Sequence, residues 1–73
     1  MIEVRFFATF REGRGKSVFL EAKDYNNIGA ILKHFHITRE EVAILLLNGI
    51  YIESDASVKD GDKVALFPPV GGG

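Results

Sequence analysis

The amino-acid sequence predicts one α+β domain, in which a mixed five-stranded sheet carries one main helix on one face. Three observations support this fold class. A chain of 73 residues can form a single domain with a small core. Several short segments alternate apolar and polar residues as half-buried strands do, and one central segment repeats apolar residues at helical spacing. Each element must bury its apolar side, so one sheet with the helix laid on it is expected.

The N-terminal segment, residues 2–10, alternates as a strand with one buried face. The residues predicted to face the helix are Ile2, Val4, Phe6, Ala8 and Phe10, and those predicted to face away are Glu3, Arg5, Phe7 and Thr9. Residues 11–16 are polar and include two glycines, and residues 17–22 follow as a second short strand. The two strands are predicted to form a hairpin, whose register the sequence leaves open.

A helix is predicted next along the chain. Its apolar stripe, at positions i, i+3, i+4 and i+7, consists of Ile28, Ile31, Leu32 and Phe35. The pattern covers about residues 27–36, and either Asn26 or Asn27 can act as the N-cap. Thr38 and Glu41 have the spacing of a capping box, which indicates a short helical turn before the next strand.

A second hairpin is predicted after this turn. Residues 42–47 form a short apolar run, which we interpret as a strand. Asn48-Gly49 follows it and is the strongest short hairpin signal in a sequence, so residues 50–53 are predicted to be its partner strand.

The last strand is predicted at residues 63–67, after a turn at Asp60-Gly61-Asp62. Pro68 and Pro69 end it, because proline has no N–H group to donate to the sheet. With the helix as the crossover, the first and last strands can lie centrally and parallel, which is the β-grasp arrangement. The domain is thus predicted to span residues 1–67, followed by a flexible tail over residues 68–73.

Composition argues against several classes of function. The absence of cysteine excludes disulfides, thiolate metal sites and thiol catalysis. Nine basic and ten acidic residues give a net charge of −1, so nucleic acid is not an expected partner. No apolar run approaches the roughly 20 residues that a bilayer helix needs, and no secretory leader is evident. We expect a cytoplasmic protein with no membrane partner.

No metal or phosphate site is predicted. His34 and His36 stand two positions apart at the helix end, where they cannot share one face, so we interpret them as surface residues. Gly13-Arg14-Gly15-Lys16 lacks both the spacing and the following helix of a P-loop, and is interpreted as a hairpin turn. The carboxylates that turn chemistry explains without a cation are Asp55, Asp60 and Asp62.

The C-terminal sequence, Pro-Pro-Val-Gly-Gly-Gly, is not explained by any rule of secondary structure. Two prolines favour an extended stub, and three glycines leave the end without Cβ atoms. Fully extended, these six residues reach about 20 Å, at roughly 3.3–3.6 Å each. The terminal carboxylate can therefore enter a narrow site of another protein while the domain stays outside.

The group predicted to do chemistry is the α-carboxylate of Gly73. With a reference pKa of about 3.3–3.7 it is an anion at neutral pH and a poor electrophile, so it must be activated. Transfer to the α-phosphate of ATP would give an acyl-phosphate anhydride. A sulfur nucleophile would convert this to a thiocarboxylate, and a lysine amine would convert it to an isopeptide. The alternative is that the glycines are only a frayed end or a remnant of cloning.

Four stretches carry a resemblance to a known family. They are MIEVRFFA at residues 1–8, Leu47-Asn48-Gly49, VKDGDKV at residues 58–64 and LFPPVGGG at residues 66–73. Through them the sequence resembles the small subunit of molybdopterin synthase, a family of ubiquitin-like sulfur carriers. The likeness covers nearly the whole chain. Carriers of the thiamine pathway share the fold and the Gly-Gly end, but usually lack the double proline.

The resemblance implies a sulfur carrier. An adenylating enzyme of the ubiquitin-activating type would use ATP on Gly73, and a sulfur-transferring enzyme would supply the sulfur. The thiocarboxylate would then enter the large subunit of the synthase, with Gly71 and Gly72 threading the tail. There it would donate sulfur to a pterin precursor, forming the dithiolene that binds molybdenum or tungsten. The chain itself would bind no cofactor and would not be catalytic alone.

Three aromatic residues are predicted on the sheet face that points away from the helix: Phe7, Tyr51 and Phe67. At about 150–250 Å² of side-chain area each, even partial exposure approaches the size of a functional patch. Both partners of the resembled family dock on this face, so the resemblance implies a partner-binding role for the three aromatics. It implies the same role for the tail residues Pro68, Pro69 and Val70. The alternative is that loops of the chain cover one or more of these rings.

Three other functions stay open. The same activated terminus could supply sulfur to thiamine synthesis or to tRNA thiolation. It could also be joined to lysines of other proteins, as in a ubiquitin-like modifier. A plain interaction module with an inert glycine tail is a further possibility, and it differs from the others in surviving the loss of Gly72 and Gly73.

Overall fold

The computed structural model describes residues 1–69 and has the predicted fold class. Its strands are β1 (Ile2–Phe6), β2 (Ser17–Leu20), β3 (Ile44–Leu47), β4 (Ile50–Tyr51) and β5 (Lys63–Phe67), and its α-helix is α1 (Ile28–His34). Short 3-10 helices lie in the connections at Ala8–Arg11, Ala22–Asp24 and Arg39–Glu41. The residues of the predicted site that lie outside the described part are Val70, Gly71, Gly72 and Gly73.

The five strands form one sheet in the order β2-β1-β5-β3-β4. The central pair, β1 and β5, is parallel, and the other neighbours are antiparallel. This confirms the prediction of a β-grasp sheet with the first and last strands side by side. Because the last strand is central, the chain leaves the sheet from its middle rather than from an edge.

The core lies between the sheet and α1. Its fully buried large side chains come from β1, β5 and the helix: Phe6, Ile2, Ile28, Ile31, Leu66, Val4 and Val64. Side chains alternate between the two faces of a strand, so Arg5 and Ala65, which are paired in register between these residues, point to the opposite face. That face carries no helix, and we call it the outer face.

β1 is shorter than predicted. It ends at Phe6, and the predicted extension to residue 10 is wrong because Ala8 has a φ of 53° and begins a 3-10 helix. This left-handed step leaves Ala8 exposed, whereas Phe10 still reaches the core from the 3-10 helix. Alternation alone could not reveal the break, since both geometries bury Phe10.

Three other strands and the helix are also shorter than predicted. β2 ends at Leu20, β3 begins at Ile44 and β4 ends at Tyr51, each two residues inside the expected limits. α1 ends at His34, because the chain turns through His36 at a φ of 58°. No helix among residues 1–69 has the length and apolar character needed to cross a membrane.

The predicted helix caps are confirmed. Asn27 is the N-cap of α1, and its Oδ1 accepts a hydrogen bond from the Ala30 N–H at 2.9 Å. The Glu41 carboxylate accepts hydrogen bonds from the N–H and the hydroxyl of Thr38, at 2.8 and 3.0 Å. These contacts satisfy backbone donors that the start of a helix otherwise leaves unpaired.

The predicted Asn-Gly hairpin turn is also confirmed. Asn48 and Gly49 have φ values of 52° and 82°, and a two-residue turn of type I′ requires positive φ at both positions. Leu47 and Ile50 pair directly across it. The sequence therefore determined this turn through the two residue types that tolerate its backbone.

A buried carboxylate links this turn to the start of β5. Asp62 is 4% exposed and accepts hydrogen bonds from Asn48 Nδ2 at 3.0 Å and from the Lys59 N–H at 2.9 Å. Asn48 Oδ1 accepts another from the Lys63 N–H at 2.9 Å. The hydrogen bond from Asn48 is the main cause that lowers the pKa of Asp62. Asp62 lies in the predicted turn, but its burial was not predicted.

We expect Asp62→Ala to lower the free energy of unfolding by about 1–3 kcal/mol, because Asn48 and Lys59 would each lose an acceptor. Urea unfolding followed by circular dichroism measures this change. Asp55→Ala, at an exposed turn position, is the matched control and should have little effect. Equal stability of the Asp62→Ala variant and the native chain would contradict the assignment.

The same carboxylate makes stability depend on pH. Because the folded state lowers the pKa of Asp62, its contribution is complete above the ordinary aspartate pKa of about 3.9 and is lost as pH falls below it. The pKa of Asp60 is lowered by the N-terminal ammonium group, and that of Glu41 by the Thr38 N–H, so they act in the same direction. In Asp62→Asn the acid-dependent loss should become smaller. An unchanged pH dependence would show that Asp62 does not contribute.

Candidate functional site

The tail leaves the domain at the end of β5, and this end is held from both sides. The Phe7 N–H donates to the Leu66 carbonyl at 3.2 Å, and the Ala43 N–H donates to the Phe67 carbonyl at 2.8 Å. Pro68-Pro69 comes next, and without N–H groups it cannot continue the sheet. The tail therefore starts from a fixed point at the centre of the sheet.

An aromatic pair lies beside this point. The rings of Phe7 and Phe67 are stacked, with centroids 4.1 Å apart and planes 11° from parallel. The Arg11 guanidinium carbon lies 5.5 Å from the centroid of Phe7, and Arg11 Nε donates to the Phe6 carbonyl at 2.9 Å. Stacking and cation–π attraction each contribute on the order of 1 kcal/mol, so this column orders the surface next to the tail.

The third predicted aromatic, Tyr51, lies on the same face at the sheet edge. It pairs in register with Leu46, which pairs with Ala65, which in turn pairs with Arg5. Tyr51 is 74% exposed, whereas Phe7 and Phe67 are each partly covered by the other. The structure thus places all three residues on the outer face, and their partner-binding role stays a prediction.

The same face carries apolar residues that the sequence analysis did not single out. Phe19 pairs with Glu3 in register and is 59% exposed, at the other edge of the sheet from Tyr51. The sequence could have predicted this position, because side chains alternate along β2 and Leu20, the next residue, is buried. Leu46 gave no such signal, because it lies in an unbroken apolar run.

Two depressions flank the aromatic pair. One, of about 490 Å³, lies on the outer face and is lined by Arg5, Phe7, Leu46, Lys63, Ala65 and Phe67, among others. The other, of about 300 Å³, is at the root of the tail and is lined by Ala8, Thr9, Ala43, Ile44, Phe67, Pro68 and Pro69. Their walls are mainly apolar.

Among residues 1–69 no group of three or more histidine, aspartate or glutamate side chains is placed to hold a metal ion. His34 Nδ1 forms a hydrogen bond with the Tyr25 hydroxyl at 3.0 Å, and His36 is exposed, as predicted for surface residues. Gly13 and Gly15 have φ values of 74° and 88°, which fits the predicted hairpin turn.

Known proteins resemble this chain over its full length. A model described as the ThiS family matches residues 4–73. The molybdopterin synthase sulfur carrier subunit of Escherichia coli is 35% identical over 81 aligned residues, which cover 100% of each chain. Small archaeal modifier protein 3 of Haloferax volcanii is 33% identical over 90 residues, covering 99% of this chain and 98% of that protein.

A solved structure of two proteins bound together is also similar. It is the complex of subunits 1 and 2 of molybdopterin-converting factor from Helicobacter pylori. One of its chains matches with a TM-score of 0.60 and 32% identity, over 99% of this chain and 97% of that one. The similarity therefore extends from sequence to three-dimensional structure.

Proposed function

This chain belongs to the ThiS family, and we propose that it is a sulfur carrier whose terminal residue, Gly73, is adenylated and converted to a thiocarboxylate. The observation that carries the proposal is the family match over residues 4–73, which includes the glycine tail. Full-length similarity to a molybdopterin synthase sulfur carrier subunit favours delivery of the sulfur to a pterin precursor in molybdopterin synthesis.

The chemistry takes place at the carbonyl carbon of Gly73. A carboxylate oxygen attacks the α-phosphorus of ATP and expels pyrophosphate, which leaves an acyl-adenylate. A sulfide-equivalent nucleophile then attacks the carbonyl carbon and expels AMP, so that sulfur replaces one oxygen of the carboxylate. ATP and the sulfur source are bound by the partner enzymes, and this chain supplies only the acyl group.

The domain supports this chemistry by presenting the tail. Hydrogen bonds to Leu66 and Phe67 hold the end of β5, and Pro68 and Pro69 start the chain outward from there. Val70 and the glycines then pass into the partner, where residues without Cβ atoms need the narrowest passage. Phe7, Tyr51 and Phe67 give the partner a surface to bind while the carboxylate reaches its site.

Three partners follow from this function. They are an adenylating enzyme related to ubiquitin-activating enzymes, a sulfur-transferring enzyme, and the large subunit of molybdopterin synthase. The third is supported by the similar Helicobacter pylori structure, in which subunits 1 and 2 of the converting factor are bound to each other. One tail cannot enter two sites at once, so the chain must leave the adenylating enzyme before its tail enters the large subunit.

The direct test is mass analysis of the C-terminal peptide. The chain is incubated with ATP, sulfide and the adenylating enzyme of its source organism. We expect first an acyl-adenylate and then a product about 16 Da heavier than the starting peptide, the mass of exchanging oxygen for sulfur. The Escherichia coli carrier with its own enzyme is the positive control. An unchanged peptide beside a converted control would refute the proposal.

A second function, protein modification, is favoured by the similarity to small archaeal modifier protein 3. In that case a lysine amine of a target protein attacks the activated carbonyl carbon and forms an isopeptide bond. Cells would then contain conjugates that increase the mass of their targets by this chain. The two functions share the activated intermediate, so they can occur in the same protein.

A further inference from the structure

Positive charge is concentrated on the outer face. The cationic side chains that line the depressions on the two sides of Phe7 are Arg5, Arg11, Lys16 and Lys63, and the acidic one that lines them is Glu3. These four cations and one carboxylate leave the lining about three units positive, although the whole chain has a net charge of −1. The rest of the molecule is therefore about four units negative, and the charge is strongly asymmetric.

The cations flank Phe7 on two sides. Arg5 and Lys63 line the depression of about 490 Å³ on one side of Phe7. Arg5, Arg11 and Lys16 line a smaller depression, of about 230 Å³, on the other side. A ligand that covers the Phe7–Phe67 pair must therefore also meet positive charge on both flanks.

The single carboxylate does not cancel this charge. Glu3 Oε2 accepts a hydrogen bond from Arg5 Nε at 2.9 Å, but its side chain is only 18% exposed, whereas that of Arg5 is 49% exposed. Only Nε of Arg5 takes part in this pair, so its exposed guanidinium group can also meet a carboxylate from another molecule.

The occupancy of the rings indicates which kind of molecule binds here. A nucleic acid would stack its bases on free aromatic faces. The facing sides of Phe7 and Phe67 are covered by each other, and Arg11 lies over Phe7. The exposed rings of this face, Tyr51 and Phe19, stand at opposite edges of the sheet, too far apart to stack neighbouring bases. The surface between them can bury apolar side chains and pair with carboxylates. The observations thus favour a protein partner.

We propose that the protein that activates Gly73 docks on the outer face with an acidic surface, in which carboxylates surround an apolar patch. This inference rests on the function proposed above and specifies the partner. Opposite charges accelerate the first encounter of two proteins, and salt screens them. Association of this chain with the enzyme is therefore fast at low salt and slows as salt rises.

Stopped-flow measurement of the association rate constant with the adenylating enzyme tests this. Between about 0.01 and 1 M NaCl the Debye length falls from about 30 to 3 Å, and we expect the rate constant to fall at least about tenfold. The double variant Arg5→Gln/Lys63→Gln should associate about tenfold more slowly at low salt, with a weaker salt dependence. Lys23→Gln/Lys33→Gln removes the same charge from exposed sites away from the sheet and should behave like the native chain.

Three results would overturn the inference. They are a native rate constant that does not depend on salt, equal slowing in both double variants, and an unchanged low-salt rate constant in Arg5→Gln/Lys63→Gln. Mass analysis of Gly73 at saturating enzyme separates this inference from the proposed function. If Gly73 is activated normally in the native chain and in both double variants, but the association rate constant does not depend on salt, only the inference fails. If the native chain is not activated at all, the proposed function fails.

Discussion

Removal of Gly72 and Gly73 together is expected to reduce adenylation and thiocarboxylate formation by at least about 100-fold, because displacement of a reacting group by even about 1 Å can cost that much. The shortened chain ends about 7 Å earlier, at roughly 3.3–3.6 Å per residue, so its carboxylate cannot reach the α-phosphate of ATP in the partner. Mass analysis of the product after incubation with ATP, sulfide and the adenylating enzyme measures the loss.

A variant of unchanged length separates the effect of tail length from the effect of side-chain size in the tail. Gly72→Val keeps the number of residues and adds a branched side chain next to the reacting residue. It should also lose activity if the partner encloses the tail in a narrow passage. Both variants should unfold at the same urea concentration as the native chain, because within residues 1–69 the buried hydrophobic side chains belong to residues 2–66 and glycine has no side chain to bury. Full activity of the shortened chain would identify the tail as inert.

The second large effect is expected at Tyr51. Tyr51→Asp should weaken binding of the adenylating enzyme by at least about 2 kcal/mol, roughly 30-fold in Kd, because it replaces an exposed aromatic contact by a charge that binding would desolvate. Tyr51 is 74% exposed in the free protein, so the substitution removes little internal packing. Isothermal titration calorimetry measures the affinity, and circular dichroism verifies the fold.

Ile50→Asp is the matched control for this substitution. Ile50 precedes Tyr51 in β4 and is 66% exposed, but its register with Leu47 places it on the opposite face of the sheet. We expect it to bind the enzyme with nearly native affinity. If Tyr51→Asp binds at native affinity, or if both variants are weakened equally, the outer face is not the docking surface.

Phe7→Asp and Phe67→Asp report on two properties at once. The two rings are stacked on each other, so either substitution removes a contact worth about 0.5–1.5 kcal/mol and places a charge in a half-buried site. Lower stability is expected together with weaker binding. Tyr51 is therefore the cleaner probe of the interface, a distinction that only the structure makes.

Much of the fold follows from local sequence. β5 occupies residues 63–67 as predicted, because its alternation is bounded by a turn on one side and two prolines on the other. The Asn48-Gly49 turn and the Thr38–Glu41 contact were predicted because few residue types satisfy those backbone geometries. The strand limits were less well predicted, since an alternating pattern continues past the residue at which pairing ends.

The candidate site was also predicted only in part from the sequence. Alternation placed Phe7, Tyr51 and Phe67 on one face, and the pairing register agrees. It could not show that Phe7 stacks on Phe67, that Arg11 covers Phe7, or that Phe19 and Leu46 extend the face. These contacts depend on which strands are neighbours in the sheet. The local sequence pattern does not indicate the strand order.

By itself, the sequence determined the element types, the tight turns, and a glycine end preceded by two prolines. These are set by backbone propensities and periodicities that act over a few residues. Tertiary structure alone decided the left-handed break at Ala8, the burial of Asp62 and the placing of cations on both sides of Phe7. The reason is that strand pairing brings distant residues together, and the energies of burial, hydrogen bonding and charge depend on those neighbours.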